Sequence, residues 1–362
     1  MAFRILSLHP HTTSTKAALF EDNVEIKRGE IQHDPQELAD IPDISAQCTY
    51  RLRALEGLIA GWTMPDDVHI DAVIGMAYMS AQMPVGVYIV DSEFMRRAWK
   101  TRRDRKKHDL GALLAVSLAK PLRSTAYALI TLSSDEFDYV ARMSGIPGLH
   151  FGKMTHALYI KNAVRVASRD LEKSFSETSL IIAHLDRSFS ICAHSDGRIR
   201  DMTITFERGP FSQARSGGIP SADIVRMAYS GVWSKNDLIE RLHNSGGLIS
   251  YMGTDNLSEA LDLASAGNEY ASLIVRSMTY QLASEIAAMA ATLHGAVDAI
   301  VLEGGCTSDE RFVEMLRERV SWITDRILVY PGDDELSSIS NAALNVLNGE
   351  MLAFKYAYIT IK

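Results

Sequence analysis

The sequence predicts an α/β protein that is built from two related halves. Each half opens with two apolar segments separated by a short polar turn, and helical segments follow them along the chain. The length of 362 residues leaves room for two domains, and the 47% of hydrophobic residues is enough to bury a core in each. We therefore expect two α/β domains with a cleft between them.

The N-terminal half begins with two predicted strands, residues 3–8 and 15–21, on either side of a turn rich in hydroxyl side chains. Short apolar runs predict further strands, and apolar residues that recur every three or four positions predict helices. The remaining predicted strands are 72–74, 86–90 and 127–132, and the predicted helices are 48–60, 134–143 and 155–168. Residues 176–178 are a predicted hinge into the second half.

The C-terminal half repeats this pattern. Its predicted strands are 180–185, 189–194, 198–205, 297–302 and 327–330, and its predicted helices are 278–294, 309–320 and 338–348. We accordingly place an N-terminal domain at residues 1–175, completed by the C-terminal helix within residues 338–362. A C-terminal domain then occupies residues 176–337.

The composition excludes several classes of protein. The 37 basic and 45 acidic residues give a formal net charge of −8, which argues against a general nucleic-acid binder. The three cysteines are isolated in the sequence, so no zinc site is predicted from them and a reducing environment is favoured. No signal peptide and no apolar segment of about 18 residues is recognisable, and we expect a cytoplasmic protein with no membrane partner.

The familiar nucleotide-binding motifs are missing from the sequence. No G-x-G-x-x-G follows a predicted strand, and the glycines within 148–153 stand one residue too close for a Walker loop. A hairpin turn can bind phosphate instead, through backbone N–H groups and hydroxyls. Four residues of the first predicted turn and its edge are candidates for that role: Thr12, Thr13, Ser14 and Lys16. The alternative is a polar turn whose hydroxyls bond their own backbone.

The first turn carries the start of a resemblance that extends along nearly the whole chain. Residues 6–16 read Leu-Ser-Leu-His-Pro-His-Thr-Thr-Ser-Thr-Lys and resemble the phosphate-binding hairpin of the butyrate kinase branch of the acetate kinase family. Further matches follow in order at residues 86–88, 141–147, 155–158, 183–185, 193–198, 209–220, 246–247, 251–254, 304–305 and 330–332. The most specific of them is Gly-Pro-Phe-Ser at 209–212 with Arg-Ser-Gly-Gly-Ile-Pro at 215–220.

The resemblance implies a fold shared with sugar kinases, actin and heat-shock chaperones, in which two ribonuclease-H-like domains each carry a mixed five-stranded sheet flanked by helices. It implies phosphoryl transfer between ATP and a short-chain carboxylate, with Mg²⁺ as the companion of ATP and an acyl phosphate as the product. Family members are commonly dimers or higher oligomers. The implied partners are thus a short-chain carboxylate or another anionic small molecule, and further copies of this chain.

The resemblance also implies roles for individual residues. The matching residues are Arg215 and His156 for the transferred phosphoryl group, His184 with the hairpin residues for phosphate, Gly304 and Gly305 for the nucleotide, and Glu335 for Mg²⁺. Three of these matches have a structural alternative. Arg215 can be a structural arginine in a tight loop, His156 a histidine satisfied by its neighbours, and Glu335 an acidic helix N-terminus.

Several positions depart from the family pattern, and most fall where the chemistry is expected. The departures are Met76 for an arginine, Ile130 for an aspartate, His9 and His11 for an asparagine and a glycine, Asp186-Arg187-Ser188 for a glycine-rich turn, and Glu303 for a threonine. Methionine and isoleucine carry no charge, so one cation and one carboxylate are lost from the implied site. A carboxylate beside phosphate is repulsive, and side chains in place of glycine hinder close approach.

Three functional hypotheses therefore stay open. The first is a working carboxylate kinase of the butyrate kinase type, with butyrate or another carboxylate as substrate, whose activity the replaced residues would weaken or abolish. The second is a non-catalytic relative that acts as a structural or regulatory partner. The third is a binder of another anionic ligand, which would use His9, His11 and Arg187.

Overall fold

The structure, a computed structural model of the chain, describes residues 2–11, 13–41, 43–62, 69–77, 86–100, 110–130, 137–151, 156–203, 208–331 and 335–355. The chain divides into two compact units. Unit 1 is Met1–Ser134 with Asp334–Lys362, and unit 2 is Asp135–Asp333. Unit 1 is therefore formed from both ends of the chain, and unit 2 from the segment between them.

The described residues form eleven strands and thirteen α-helices. The strands are β1 (Arg4–Pro10), β2 (Ser14–Glu21), β3 (Val24–Gln32), β4 (Ala72–Ala77), β5 (Gly86–Ile89), β6 (Thr125–Ile130), β7 (Leu180–Leu185), β8 (Phe189–Ser195), β9 (Arg198–Met202), β10 (Ala299–Gly304) and β11 (Ile327–Pro331). The helices are α1 (Pro35–Asp40), α2 (Ile44–Ala60), α3 (Ser92–Lys100), α4 (Leu110–Leu122), α5 (Tyr139–Arg142), α6 (Ala157–Asp170), α7 (Ser221–Ala228), α8 (Lys235–His243), α9 (Gly247–Met252), α10 (Leu257–Ser265), α11 (Glu269–Thr292), α12 (Glu310–Val320) and α13 (Glu335–Leu347). A 3₁₀ turn, Gly305–Ser308, follows β10.

Unit 1 contains a mixed sheet of six strands in the order β3-β2-β1-β4-β6-β5. Strands β1, β4 and β6 run parallel, whereas β2, β3 and β5 join by antiparallel pairing. The three parallel strands are almost fully buried, as expected for continuous apolar runs in the middle of a covered sheet. Their carboxyl ends lie at one edge of the sheet, which is where α/β proteins commonly bind ligands.

Unit 2 contains a mixed sheet of five strands in the order β9-β8-β7-β10-β11. This order reproduces β3-β2-β1-β4-β6 of unit 1, because an antiparallel three-stranded meander is again followed by two strands parallel to its first strand. The predicted α/β class and the predicted repetition of strand–turn–strand are therefore confirmed.

The sheet of unit 1 has six strands rather than the predicted five. The additional strand is β3, which pairs antiparallel with β2 at one sheet edge, whereas β5 matches the predicted strand 86–90. Strand β3 was not among the predicted strands. Its side chains are half-buried or exposed, and about half of its residues are charged rather than apolar. An exposed edge strand of this kind lacks the apolar pattern that identifies strands in a sequence.

Helix α6 belongs to unit 2, although the prediction placed residues up to 175 in the N-terminal domain. The helix packs against β7 and β10, and its apolar side chains Ile160, Val164 and Ala167 are buried there. The helical periodicity identified the helix correctly, but it does not indicate which sheet an amphipathic helix covers.

Each unit has its own apolar core. In unit 1, α4 packs across β4 and β6, and α13 packs against β1. In unit 2, α11 packs against β7 and β8, and α12 packs against α11. Among the residues that the structure describes, no helix combines the length and the apolar character needed to cross a membrane.

Candidate active site

The first candidate site lies where the β1–β2 hairpin of unit 1 meets the start of α13. The His9 Nδ1 atom lies 2.8 Å from Glu335 Oε2, and His11 Nε2 lies 3.0 Å from the same oxygen. Lys16 Nζ lies 3.5 Å from it. Three nitrogen groups thus converge on one carboxylate oxygen of the first residue of α13.

The protonation of this cluster follows from burial and from these contacts. Burial lowers the pKa of His9, although its hydrogen bond with Glu335 opposes the effect. Burial of the Glu335 carboxyl opposes ionisation, but its contacts with His11 and His9 outweigh burial and lower its pKa. The position between these side chains is therefore taken by an ionised carboxylate of the protein itself.

A buried arginine that the sequence reasoning missed holds the hairpin in place. Arg51 of α2 is fully buried, and its Nη1 donates to the Ser14 carbonyl and to Thr15 Oγ1, each at 2.7 Å. The Thr15 hydroxyl also contacts His33 Nε2 at 2.8 Å. The signal for Arg51 is a charged residue beside the apolar positions of a predicted helix, where a buried charge needs partners.

The predicted phosphate-binding residues of this hairpin do not share one environment. Lys16 belongs to the cluster around Glu335, whereas Thr13 is exposed and Ser14 is buried. Thr12 lies outside the described residues. The backbone of the turn is fixed by the His11 N–H, which donates to the Ser14 carbonyl at 2.8 Å.

The departures at positions 76 and 130 are core residues at the carboxyl ends of two neighbouring parallel strands. Met76 of β4 is 1% exposed and Ile130 of β6 is 0% exposed. The strand register places Met76 opposite Leu129 and Ala77 opposite Ile130. Both side chains are packed as apolar core, so neither a cation nor a carboxylate is present at these two positions.

The second candidate site lies beside the β7–β8 hairpin of unit 2. His184 of β7 and Glu303 of β10 are paired in the strand register, and His184 Nδ1 lies 2.7 Å from Glu303 Oε1. Both side chains are almost fully buried. The other carboxylate oxygen, Glu303 Oε2, is also buried and has no hydrogen-bond partner in the part of the chain that the structure describes.

Two further side chains complete this cluster. His156, the residue preceding α6, contacts Ser190 Oγ through Nδ1 at 2.9 Å and lies with its ring 4.4 Å from the ring of His184. The Tyr159 ring stacks on His184 with a centroid distance of 5.0 Å. The two histidines implied by separate motifs are therefore neighbours, whereas no motif indicated the contacts made by Glu303 and Tyr159.

The turn between β7 and β8 packs on the loop that carries Arg215. The Arg187 carbonyl accepts a hydrogen bond from Ser212 Oγ at 2.8 Å and from the Ala214 N–H at 3.3 Å. Burial, followed by the positive charge of Arg187, lowers the pKa of Arg215 to about 10. The two positive charges thus repel one another, and an anion bound near this turn would reduce that repulsion.

The two predicted nucleotide-binding glycines begin the turn after β10. Gly304 has φ of +101°, and a Cβ atom there would lie 2.6 Å from the Leu185 carbonyl oxygen, so only glycine fits. Gly305 lines a cavity of about 420 Å³ together with Gln213, Asp255, Asn256, Cys306 and Arg311. A cavity of this size with polar walls can hold a nucleoside.

The implied ATP and Mg²⁺ fit these residues only in part. The cavity beside Gly305 fits the nucleoside. The Glu335 carboxylate matched to Mg²⁺ is surrounded by His9, His11 and Lys16, whereas Mg²⁺ prefers oxygen ligands and retains waters. The neighbouring acidic residue in the sequence, Asp334, lies outside the described residues. The described residues therefore leave room for a nucleoside but fit Mg²⁺ poorly.

The fold is that of the acetate kinases whose structures are known. The sequence pattern of the Acetokinase family matches residues 148–321. Acetate kinase from Porphyromonas gingivalis has the same fold, with a TM-score of 0.76 and 17% identity over 95% of this chain and 100% of that chain. Acetate kinase from Entamoeba histolytica superposes with a TM-score of 0.73 and 14% identity, covering 97% of this chain and 100% of that chain.

Sequence relatives define the branch more closely. A probable butyrate kinase 2 from Caldanaerobacter subterraneus is 32% identical over 96% of this chain and 98% of its own length. Butyrate kinase 2 from Clostridium acetobutylicum is 31% identical over 98% of this chain and 100% of its own length. The chain therefore belongs to the acetokinase family, in its butyrate kinase branch, and the resemblance drawn from the motifs is confirmed.

Proposed function

We propose that this protein is a carboxylate kinase of the butyrate kinase type in which phosphoryl transfer from ATP is weak or lost. The observation that carries the proposal is the burial of Met76 and Ile130 as core residues. The resemblance places an arginine and an aspartate there. Removal of one group that stabilises developing charge commonly costs on the order of 3 kcal/mol of barrier, or about a hundredfold in rate. Two such losses need not add, but both lower the rate.

The reaction type is the attack of a carboxylate oxygen on the terminal phosphorus of ATP. A carboxylate oxygen forms a bond to the γ-phosphorus, and the bond between the γ-phosphorus and the β–γ bridging oxygen breaks. The products are an acyl phosphate and ADP. In this chain, Arg215 would neutralise charge on the transferred group and His156 would donate a hydrogen bond to it. His184, held by Glu303 at 2.7 Å, would fix the position of the His156 ring.

A second candidate function is a non-catalytic relative that binds nucleotide and acts through a partner. Two observations favour it. The positive and polar nitrogens of the first hairpin already contact Glu335. The second hairpin turn carries Asp186, whose carboxylate accepts the Arg187 N–H at 2.7 Å and would repel phosphate. The third hypothesis, an anion site at His9 and His11, is disfavoured by the same contacts with Glu335.

Calorimetric titration with MgATP, and separately with acetyl phosphate plus ADP, tests the proposal, together with an assay of acyl phosphate formation from butyrate. We expect binding of nucleotide and a turnover number at least about 100-fold below the common range of 1–100 per second for kinases. Arg215→Ala should abolish this residual turnover. Arg226→Ala is the matched control, because Arg226 is exposed on α7 and pairs with Asp223.

The outcomes separate the candidates. Turnover that Arg215→Ala abolishes and Arg226→Ala preserves supports the weak kinase. Nucleotide binding without turnover shows that phosphoryl transfer is lost and supports the non-catalytic relative. Millimolar nucleotide with neither heat nor a thermal shift contradicts both, and turnover in the common kinase range contradicts the proposal that Met76 and Ile130 weaken the reaction.

A further inference from the structure

The cluster at the β1–β2 hairpin has the composition of a transition-metal site. The His9 Nδ1, His11 Nε2 and Glu335 Oε2 atoms all lie within 4.8 Å of one another. We propose that these three side chains bind a borderline divalent ion such as Zn²⁺, and that they bind it in preference to Mg²⁺. This inference does not rest on the proposed function, because it concerns the metal bound in the absence of nucleotide.

The distances within the cluster already approach those of ligands around one ion. Zinc binds imidazole nitrogen and carboxylate oxygen at about 2.0–2.2 Å in tetrahedral geometry, so neighbouring ligand atoms lie about 3.3–3.6 Å apart. Glu335 Oε2 lies 2.8 Å from His9 Nδ1 and 3.0 Å from His11 Nε2. The ring centroids of the two histidines are 4.0 Å apart. The three donor atoms therefore already converge, and the two rings would move apart when an ion binds between the side chains.

The donor atoms decide which ion fits. Neutral imidazole suits zinc, copper, iron and nickel, whereas Mg²⁺ prefers carboxylate, phosphate and water oxygens. Both nitrogen donors come from residues that depart from the family pattern, since His9 and His11 stand where the resemblance places an asparagine and a glycine. The set of two histidines and one carboxylate also leaves a coordination position for water or an anion.

The three side chains are held by regular structure and by a fixed turn. His9 is on β1 and is buried, and Glu335 opens α13, which packs on β1. His11 follows β1, and its N–H donates to the Ser14 carbonyl at 2.8 Å. A metal site requires donors whose positions are fixed before the ion arrives, and this hairpin supplies them.

Lys16 is the group that opposes a cation. Its Nζ atom lies 3.5 Å from Glu335 Oε2, and an ammonium group at that distance repels a metal ion. Lys16 is half-buried and has a long flexible side chain, so it can turn towards solvent when an ion binds. The proposal therefore predicts that removal of the Lys16 charge tightens metal binding, whereas a plain ion-pair cluster would only lose a contact.

The test uses the full-length protein, freed of metal with a chelator and titrated with Zn²⁺ alone. We expect one equivalent of Zn²⁺ per chain by elemental analysis and calorimetry, with no displacement by millimolar Mg²⁺. Cobalt(II) bound at the same site should give the visible ligand-field absorption of a nitrogen-containing coordination sphere. Neither readout depends on kinase activity.

Variants separate the site from incidental binding. His11→Ala is the main variant because His11 is only half-buried, unlike His9. This substitution should weaken Zn²⁺ binding by more than the roughly tenfold seen for changes in residues that contact a metal ligand but not the metal. Lys16→Met should tighten binding by about tenfold. His69→Ala, which removes an exposed histidine next to Asp71, should have no effect. Wild-type protein without stoichiometric Zn²⁺, or His11→Ala with unchanged affinity, would overturn the proposal.

Discussion

Glu303 illustrates how one residue changes a buried site. Its Oε1 atom accepts a hydrogen bond from His184 Nδ1 at 2.7 Å, and both side chains are almost fully buried. Removal of one partner of such a pair leaves the other without compensation. We expect Glu303→Leu to destabilise unit 2 by on the order of 3 kcal/mol, and Glu303→Gln to cost less because its amide oxygen can still accept a hydrogen bond.

Hydrogen exchange of the backbone amides of β7 and β10 measures this effect within unit 2, without an assumption about unit 1. Glu314→Gln is the matched control, since Glu314 is exposed on α12 and pairs with Arg317. That exposed pair should contribute less than about 1 kcal/mol. Unchanged protection of β7 in Glu303→Leu would show that the buried pair does not stabilise the sheet.

The motifs predicted the two histidines of this site but not their partners. His156 and His184 each match a family motif, and their rings lie 4.4 Å apart. The contact between His184 and Glu303 joins residues 119 positions apart and depends on the register of β7 with β10. The contact between His9 and Glu335 spans 326 positions. A residue pattern along the chain does not contain such a register, so these contacts required the structure.

At the scale of elements, prediction succeeded where burial is uniform. Residues 180–185 were predicted as a strand with the bounds that β7 has, because all six of its positions are buried and apolar apart from His184. Helix α11 begins nine residues earlier than predicted, at Glu269 after the N-cap Asn268. The first turns of α11 carry the hydrophobic residues Tyr270 and Leu273 on the exposed face. They obscure the helical periodicity that the buried residues alone would show.

The contact between α4 and β4 gives a prediction at this scale. A Cβ atom on Gly111 would lie 1.8 Å from the Met76 carbonyl oxygen, and one on Gly75 would lie 2.0 Å from the Gly111 carbonyl oxygen. The helix and strand backbones therefore touch directly. We expect Gly111→Ala to destabilise unit 1 by about 3 kcal/mol or more, because the backbone must move apart.

Gly57→Ala provides the control for this substitution. Gly57 lies within α2, and a Cβ atom there would have nothing within 4 Å. Alanine favours a helix over glycine by about 1 kcal/mol, so Gly57→Ala should raise the thermal midpoint of unit 1 slightly while Gly111→Ala lowers it. If both substitutions left the midpoint of unit 1 unchanged, the close approach of α4 to β4 would be contradicted.

At the scale of the whole molecule, the repeated sheet places a hairpin with one candidate site in each unit. Strands β1 and β2 of unit 1 occupy the same place in the strand order as β7 and β8 of unit 2. The repetition of strand–turn–strand was predictable because it recurs in the sequence. The boundaries between the two units were less predictable from the sequence, because the unit to which a helix belongs depends on which sheet the helix covers.

The completion of unit 1 by the C-terminal helix gives the last prediction. Helix α13 packs against β1, β2 and β4, and its residue Ile339 is fully buried. We expect Ile339→Asp to unfold unit 1, because an unpaired carboxylate would be buried in its core. Limited proteolysis should then cut within the described part of residues 2–130 while unit 2 stays protected. Leu352→Asp, at a residue 85% exposed, should leave both units protected. Cleavage of unit 2 before unit 1 in Ile339→Asp would show that α13 stabilises the other unit instead.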